Sequence, residues 1–202
     1  MRKFVLAVAV LALVVPASAQ ELVVNGNFNA GPTGWSTYTA GWGGGSGTIT
    51  ATGPSAPELH INVNTGSYAW YQYLTVIPGV TYTITGDWEG QNAGWAEVML
   101  FNDTGATPAQ QIDTAVAAGS IIYKRDGGAT WTWSPFAATP PHAGASNNPN
   151  VLATGTSMIV AAKGGGSNSG TNLYFDNISV TPEPSMALLA FGGLPLLLRR
   201  RR

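Results

Sequence analysis

Two acids and a tryptophan near the middle of the chain stand where side chains of that kind could act together. Residues 80–89 and 95–102 each alternate apolar with polar side chains, and residues 90–94 (Gly-Gln-Asn-Ala-Gly) separate them like the loop of a hairpin. Pairing Ile84 with Leu100 sets Gly86 opposite Val98 and Trp88 opposite Ala96 on a core-facing side. The period of two then turns Thr83, Thr85, Asp87 and Glu89 the other way, opposite Phe101, Met99, Glu97 and Trp95. Asp87 thus faces Glu97. Like charges placed so are destabilising unless water, a cation or ligand hydroxyls lie between them. This face is therefore expected to be a working surface, with Trp95 and Glu97 as its preferred pair and Trp88 turned into the core. Facing carboxylates about 5 Å apart also occur in enzymes that cleave glycosidic bonds with retention. Cross-strand acids more often bind a ligand or are merely solvated, so hydrolysis by Asp87 and Glu97 is the lesser alternative.

Other reactive constellations are missing. His60 and His142 have no second ligand at zinc spacing, and there is no cysteine. No Gly-x-Ser-x-Gly elbow occurs, and the Gly-rich tracts lack the strand-to-helix context of a phosphate loop.

The elements that must position these side chains read as strands. Residues 21–24, 34–38, 48–51, 58–63, 68–77, 120–124, 130–136, 157–162 and 172–180 are short, rich in β-branched and aromatic residues, and bounded by Gly, Pro and Asn. Pro78-Gly79 makes a tight corner. Residues 103–118 permit a short helix or a loop, and residues 139–150 form a Pro/Asn/Gly-rich loop. Strands at this spacing predict an all-β fold, a sandwich or jelly roll, in a single domain.

Charge narrows the partners. The full chain carries a net charge of −1. Six of its nine basic residues lie within a few positions of the two ends; only Lys124, Arg125 and Lys163 face all ten acids between Glu21 and Glu183. Three cations against ten anions leave the central domain near −7, which excludes an electrostatic footprint for nucleic acid. Without cysteine there are no disulfide staples, and the domain must rely on its packed core, with or without a bound ion.

Three segments carry a family resemblance. They are Asn25-Gly26-Asn27-Phe28 with Gly34-Trp35, the stretch Tyr71-Gln72-Tyr73-Leu74-Thr75-Val76-Ile77-Pro78-Gly79-Val80-Thr81-Tyr82-Thr83-Ile84, and Tyr174-Phe175-Asp176-Asn177-Ile178-Ser179-Val180. In order and spacing they resemble the opening, centre and closing strand of family 4/9-type carbohydrate-binding modules, which are β-jelly rolls of the galactose-binding-like type. Residues 104–150 depart from that pattern. The resemblance implies a non-catalytic polysaccharide-binding role. Pyranose C–H faces stack on aromatic rings, and amides or carboxylates bind hydroxyls; the candidates are Trp42, Tyr71, Tyr73 and Trp95 with Gln72, Asp87 and Glu97. It also implies a structural calcium tying the first segment to the last strand, with Asn25, Asn27 and Asp176 at the matching positions. No other cofactor is implied. The alternative is a structural matrix protein with the same fold and no defined sugar site.

The two ends read as address tags. Residues 1–19 have a basic start, an apolar core and a small-residue Ala17-Ser18-Ala19 site, as in a cleaved secretory signal peptide. Residues 182–202 run Pro182-Glu183-Pro184, then 13 largely apolar residues at 186–198, then four arginines. As a helix that run spans about 20 Å against a bilayer core of about 30 Å, which suits transient membrane association better than a permanent anchor. The segment resembles the PEP-CTERM sorting signal of Gram-negative bacteria. That resemblance implies an exosortase-type membrane protease as partner and delivery to the envelope or extracellular matrix, with residues 20–181 as the jelly-roll domain.

Overall fold

The strand expected to turn back at Gly90 runs straight on. In a computed structural model of the chain, β5 (Thr81–Asn102) is one continuous strand of 22 residues. Residues 20–39, 45–50, 57–63, 66–117, 120–138, 145–146, 148–166 and 171–183 are described. Trp42, Pro184, the signal segment and residues 185–202 lie outside them. The hairpin reading is thus corrected: Ile84 pairs with Val180 and Leu100 with Val160, not with each other. Residues 90–94 carry register shifts instead of a turn. Two features let the chain bend there without reversing: Asn92 takes a positive φ of 51°, and a Cβ on Gly90 would lie 2.2 Å from the Trp131 ring.

The remaining elements are β1 (Ser36–Thr39), β2 (Gly45–Thr50), β3 (Glu58–Val63), β4 (Gly66–Thr75), α1 (Pro108–Ala117), β6 (Ile121–Pro135), β7 (Asn150–Leu152), β8 (Ser157–Gly166) and β9 (Thr171–Pro182), with a short 3-10 turn at Phe136–Ala138. Strand identity follows sequence in most places. The segments expected at 120–124 and 130–136 fuse into β6, as the two halves of β5 do. Residues 21–24 form no strand.

The ladder order is β1-β4-β8-β5-β9-β3-β2, with β6 and β7 also on β5. All of these strand pairings are antiparallel. β9 pairs with the first half of β5 (Tyr82 to Gln91), and β8 with the second (Trp95 to Asn102). The sheet therefore divides along β5 into two layers. The front layer is β1-β4-β8 with the end of β5 and the start of β6; the back layer is β2-β3-β9 with the start of β5, β7 and the end of β6. Strands that pass from one layer to the other through bulges are a known way to make the corner of a β-sandwich.

Between the layers lies the main core. Trp70, Leu74, Val98, Leu100 and Val160 meet Leu59, Ile61, Ile84, Leu173, Phe175 and Val180 there, all buried. Trp88 is fully buried at its centre, edge-on to Trp131 at 5.9 Å and to Phe136 at 5.5 Å. Such offset aromatic contacts suit the ring quadrupole. Trp88 thus faces inward as its parity in the strand predicts.

The first residues are stapled to the last strand. Leu22 donates to the Val180 carbonyl (3.0 Å), and Ile178 donates to that of Gly26 (3.0 Å). The Glu21 carboxylate accepts from the Val23 amide at 2.7 Å and the Val180 amide at 2.9 Å, and also bonds the Ser179 hydroxyl. At the other end of β9, the Glu183 amide donates to the Thr81 carbonyl at 2.8 Å. Glu21–Glu183 is one compact unit.

Candidate functional site

The outer face of the front layer collects most of the expected binding residues. Ladder register places Tyr71 beside Ala161, Tyr73 beside Ile159, Glu97 beside Lys163 and Met99 beside Ala161, all on the side away from the main core. Trp95 and Glu97 do face outward, as the sequence predicts, although the hairpin used to derive this does not exist. Period-two parity survives the error because the corner leaves the even positions on both halves of β5 inside.

Helix α1 covers the middle of this face. Its Ile112 packs with Ala69, Met99, Phe101, Ile121, Ile159 and Ala161 in a second, smaller core. The helix has a sequence signal: Thr107-Pro108-Ala109-Gln110 is a capping box with proline at the first helical position. The Thr107 hydroxyl accepts from the Gln110 amide at 3.4 Å, and Gln110 Oε1 accepts from the Thr107 amide at 3.4 Å. What no local signal reveals is where the helix lies. That depends on an apolar patch assembled from four strands.

Ionised groups hold the helix down. Asp113 accepts from buried Lys163 Nζ at 2.8 Å and from the Tyr38 hydroxyl at 2.5 Å. Burial raises the Asp113 pKa, but the bonds from Lys163 and Tyr38 outweigh it and hold the carboxyl below its usual range. Burial, then the bond to Asp113 and its charge, push the Tyr38 phenol up to about 12. Glu97 lies beside this group, buried, with its Oε1 3.3 Å from Lys124 Nζ. Its Oε2 is buried without a hydrogen bond. Burial raises the Glu97 pKa against the lowering pull of Lys124 and Lys163. Lys163 also stands 5.6 Å over the Trp95 ring. The Trp95–Glu97 end of the face is thus occupied by its own ion pairs and is not an open cleft.

The open part is the opposite rim. Tyr73 is 46% exposed and meets Tyr71 edge-on at 6.0 Å. The charge of Asp103 reaches Tyr73, adding to burial in raising its phenol pKa. Asp103 is fixed in place: it accepts from the Gly105 amide at 2.9 Å and from Gln111 Nε2 at 2.8 Å, and the Gly105 bond leads in keeping it ionised. Asp103 was missed in the sequence because only its place beside Ser157 brings it near β4; its amide donates to the Ser157 carbonyl at 3.1 Å.

Two expected partners lie elsewhere. The Gln72 carboxamide points inward. It accepts from the Val24 amide at 2.7 Å and donates to the carbonyls of Val24 (3.1 Å) and Gly34 (2.9 Å). Asp87 belongs to the back layer, opposite Asp176 on β9, with Asn177 Nδ2 3.3 Å from its Oδ2. Trp42 falls outside the described residues.

The expected calcium ligands are bonded to nearby backbone groups. The Asn25 side chain accepts from the Ala30 amide at 2.9 Å and donates to the Gly31 carbonyl at 2.7 Å, and Asn27 Oδ1 accepts from the Asn29 amide at 3.3 Å. Asp176 accepts from the Asn177 amide at 2.7 Å; burial raises its pKa, with Asp87 adding to the shift. Calcium sites need six to eight oxygens free to converge. Among the described residues no group of three or more acids and histidines is placed to hold a metal. Asn25, Asn27 and Asp176 each spend a side-chain oxygen on a backbone amide.

No protein-family model and no curated protein matches the sequence. Solved structures match the fold. One is TmCBM61 in complex with beta-1,4-galactotriose: TM-score 0.50 and 10% identity, covering 82% of this chain and 100% of that one. A CBM4 structure aligns at TM-score 0.51 and 16% identity, over 80% and 99% of the two chains. The Stig cyclase Fisc from Fischerella sp. TAU, solved with a 3H-indole ligand, aligns at TM-score 0.52 and 15% identity, over 83% and 100%. The chain therefore has the jelly-roll fold seen in carbohydrate-binding modules. The same frame also serves a cyclase, so function must be argued from the site.

Proposed function

We propose that the chain is an exported, non-catalytic carbohydrate-binding domain that holds polysaccharide on the open rim of the front layer. The observation that carries this reading is the exposed Tyr73 ring, buttressed by Tyr71, with the ionised Asp103 beside it. An aromatic ledge accepts the C–H face of a pyranose, and a neighbouring carboxylate accepts its hydroxyls. TmCBM61, which shares the fold, was solved with a galactotriose bound. A non-catalytic role is supported by the separation of Asp87 and Glu97, which leaves the expected acid pair without a common substrate.

Delivery belongs to the same proposal and rests on sequence. Residues 1–19 direct export, and Pro182-Glu183-Pro184 with the apolar and arginine-rich tail directs an exosortase-type protease, placing the domain at the envelope or in the surrounding polysaccharide matrix of a Gram-negative cell. The test is affinity electrophoresis of the purified protein through gels containing single polysaccharides. At least one should retard the wild type, and Tyr73→Ala and Asp103→Asn should each weaken the retardation about tenfold or more. Free migration of the wild type in every gel would defeat the reading and favour a structural matrix role.

A further inference from the structure

A cavity of about 580 Å³ opens on the far side of α1 from the Tyr73 ledge, where the end of β5 emerges beyond the start of β6. Its walls come from residues 104–150, the part of the chain that departs from the family pattern, together with Val151 and with Leu100, Phe101 and Asn102 of β5. The size falls within the range of about 300–1,000 Å³ typical of small-ligand sites.

The lining has two characters. Leu100, Phe101, Ile122 and Val151 supply apolar surface; every other lining residue except Ala106 bears an amide or a hydroxyl. No lining side chain is ionisable.

Some of the polar groups build the wall and are committed. Buried Gln111 bonds the Thr104 amide (2.8 Å), Asp103 Oδ1 (2.8 Å) and the Ala106 carbonyl (2.7 Å). Asn102 bridges to the Leu152 carbonyl at 3.0 Å and the Thr154 amide at 2.8 Å. Others are free. Among the described residues, nothing bonds the hydroxyls of Thr114 and Ser120 or the NH2 groups of Asn148 and Asn150; the two asparagines use only their oxygens, toward the Asn150 amide and the Thr83 hydroxyl.

We propose that this cavity is a second binding site, one that takes a neutral sugar unit, such as the end of a glycan chain or a free mono- or disaccharide. A pyranose presents C–H groups on its faces and hydroxyls at its rim. Apolar surface with uncommitted amide donors and hydroxyls matches both. The absence of a lining cation disfavours uronic acids and phosphates. A walled recess open on one side admits a terminal unit where the ledge admits the middle of a chain. The site meets the ledge through the Gln111–Asp103 bond, but the proposal does not rest on the ledge.

Saturation-transfer NMR tests this on the full-length protein, with glucose, galactose, N-acetylglucosamine, lactose, glucuronate and indole as probes. At least one neutral sugar should show transfer, glucuronate at least tenfold less, and Thr114→Leu and Asn148→Ala should each cut the sugar signal at least tenfold. Thermal unfolding of both exposed-site variants confirms that they fold. Retardation of the wild type by polysaccharide with no transfer to any neutral sugar overturns the cavity proposal and leaves the ledge standing. Sugar transfer unaffected by both variants, or transfer to indole alone, also overturns it.

Discussion

Asp87 and Glu97 share one strand, and the residues opposite them in the ladder carry opposite signs: Asp176 faces Asp87, and Lys163 faces Glu97. Ten residues, at most about 33 Å of extended chain, and the corner at residues 90–94 separate them. They serve different layers, and their environments differ accordingly. Burial raises the Asp176 pKa and the Asp87 charge adds to it, whereas Glu97 is buried against two lysines.

Glu97 supplies a pH test. Its folded pKa is raised, so the stability it contributes is fully present below its unfolded value of about 4.3 and is lost as pH rises through the folded value. Urea unfolding of wild type and Glu97→Gln at pH 4 and pH 8 should show the wild type losing ground to the variant at the higher pH. A difference independent of pH would contradict the burial described.

Asp113 should behave in the opposite sense. Its pKa is lowered, so its contribution is present above the unfolded value of about 3.9 and is lost as pH falls through the folded one. Because its side chain is 44% exposed, solvent screening limits the effect, to about 1 kcal/mol. Asp113→Asn should lower amide protection factors in residues 108–117 at neutral pH, and the wild-type protection factors should approach the variant's in acid. Unchanged protection would show that Ile112 and Gln111 suffice to hold the helix.

Gln72 separates structure from binding. Gln72→Ala removes three hydrogen bonds to the opening segment and leaves the Val24 groups without partners, at a cost of about 1–3 kcal/mol. Denaturant titration should record that loss, while polysaccharide retardation stays at the wild-type level. Lost retardation in a folded variant would return Gln72 to the binding set.

The outcome for these residues shows what pattern alone conveys. Parity put Trp88 inside and Glu97 outside, because the alternation of side chains is a local property of any strand. The corner at residues 90–94 was misread because Gly-Gln-Asn-Ala-Gly serves equally as a hairpin loop and as a bend. Only the late strands β8 and β9 decide between the two. The cover over the front face was hidden for the same reason: Ile112 meets partners from β4, β5, β6 and β8, and no window of sequence contains them.

Calcium gives a further test. The opening segment is closed on β9 by direct bonds from Leu22, Ile178 and Glu21, so chelation with EDTA should shift the melting temperature by less than about 2 °C, against roughly 2–4 °C for each kcal/mol in a domain this size. A larger drop, restored by calcium, would place an ion among Asn25, Asn27 and Asp176 after all.

The passage of β5 through both layers also governs the order of assembly. Each half has β6 or β7 along one edge; along the other its first half pairs with β9, which opens at Thr171, and its second half with β8, which opens at Ser157. The back layer cannot close while the chain stops short of β9, and the front layer cannot close before β8. Pairings so distant in sequence slow folding and bind it into a single step. A nascent chain ending before Thr171 would hold Trp88 with an open edge beside it, and would stay pliable until β9 arrived.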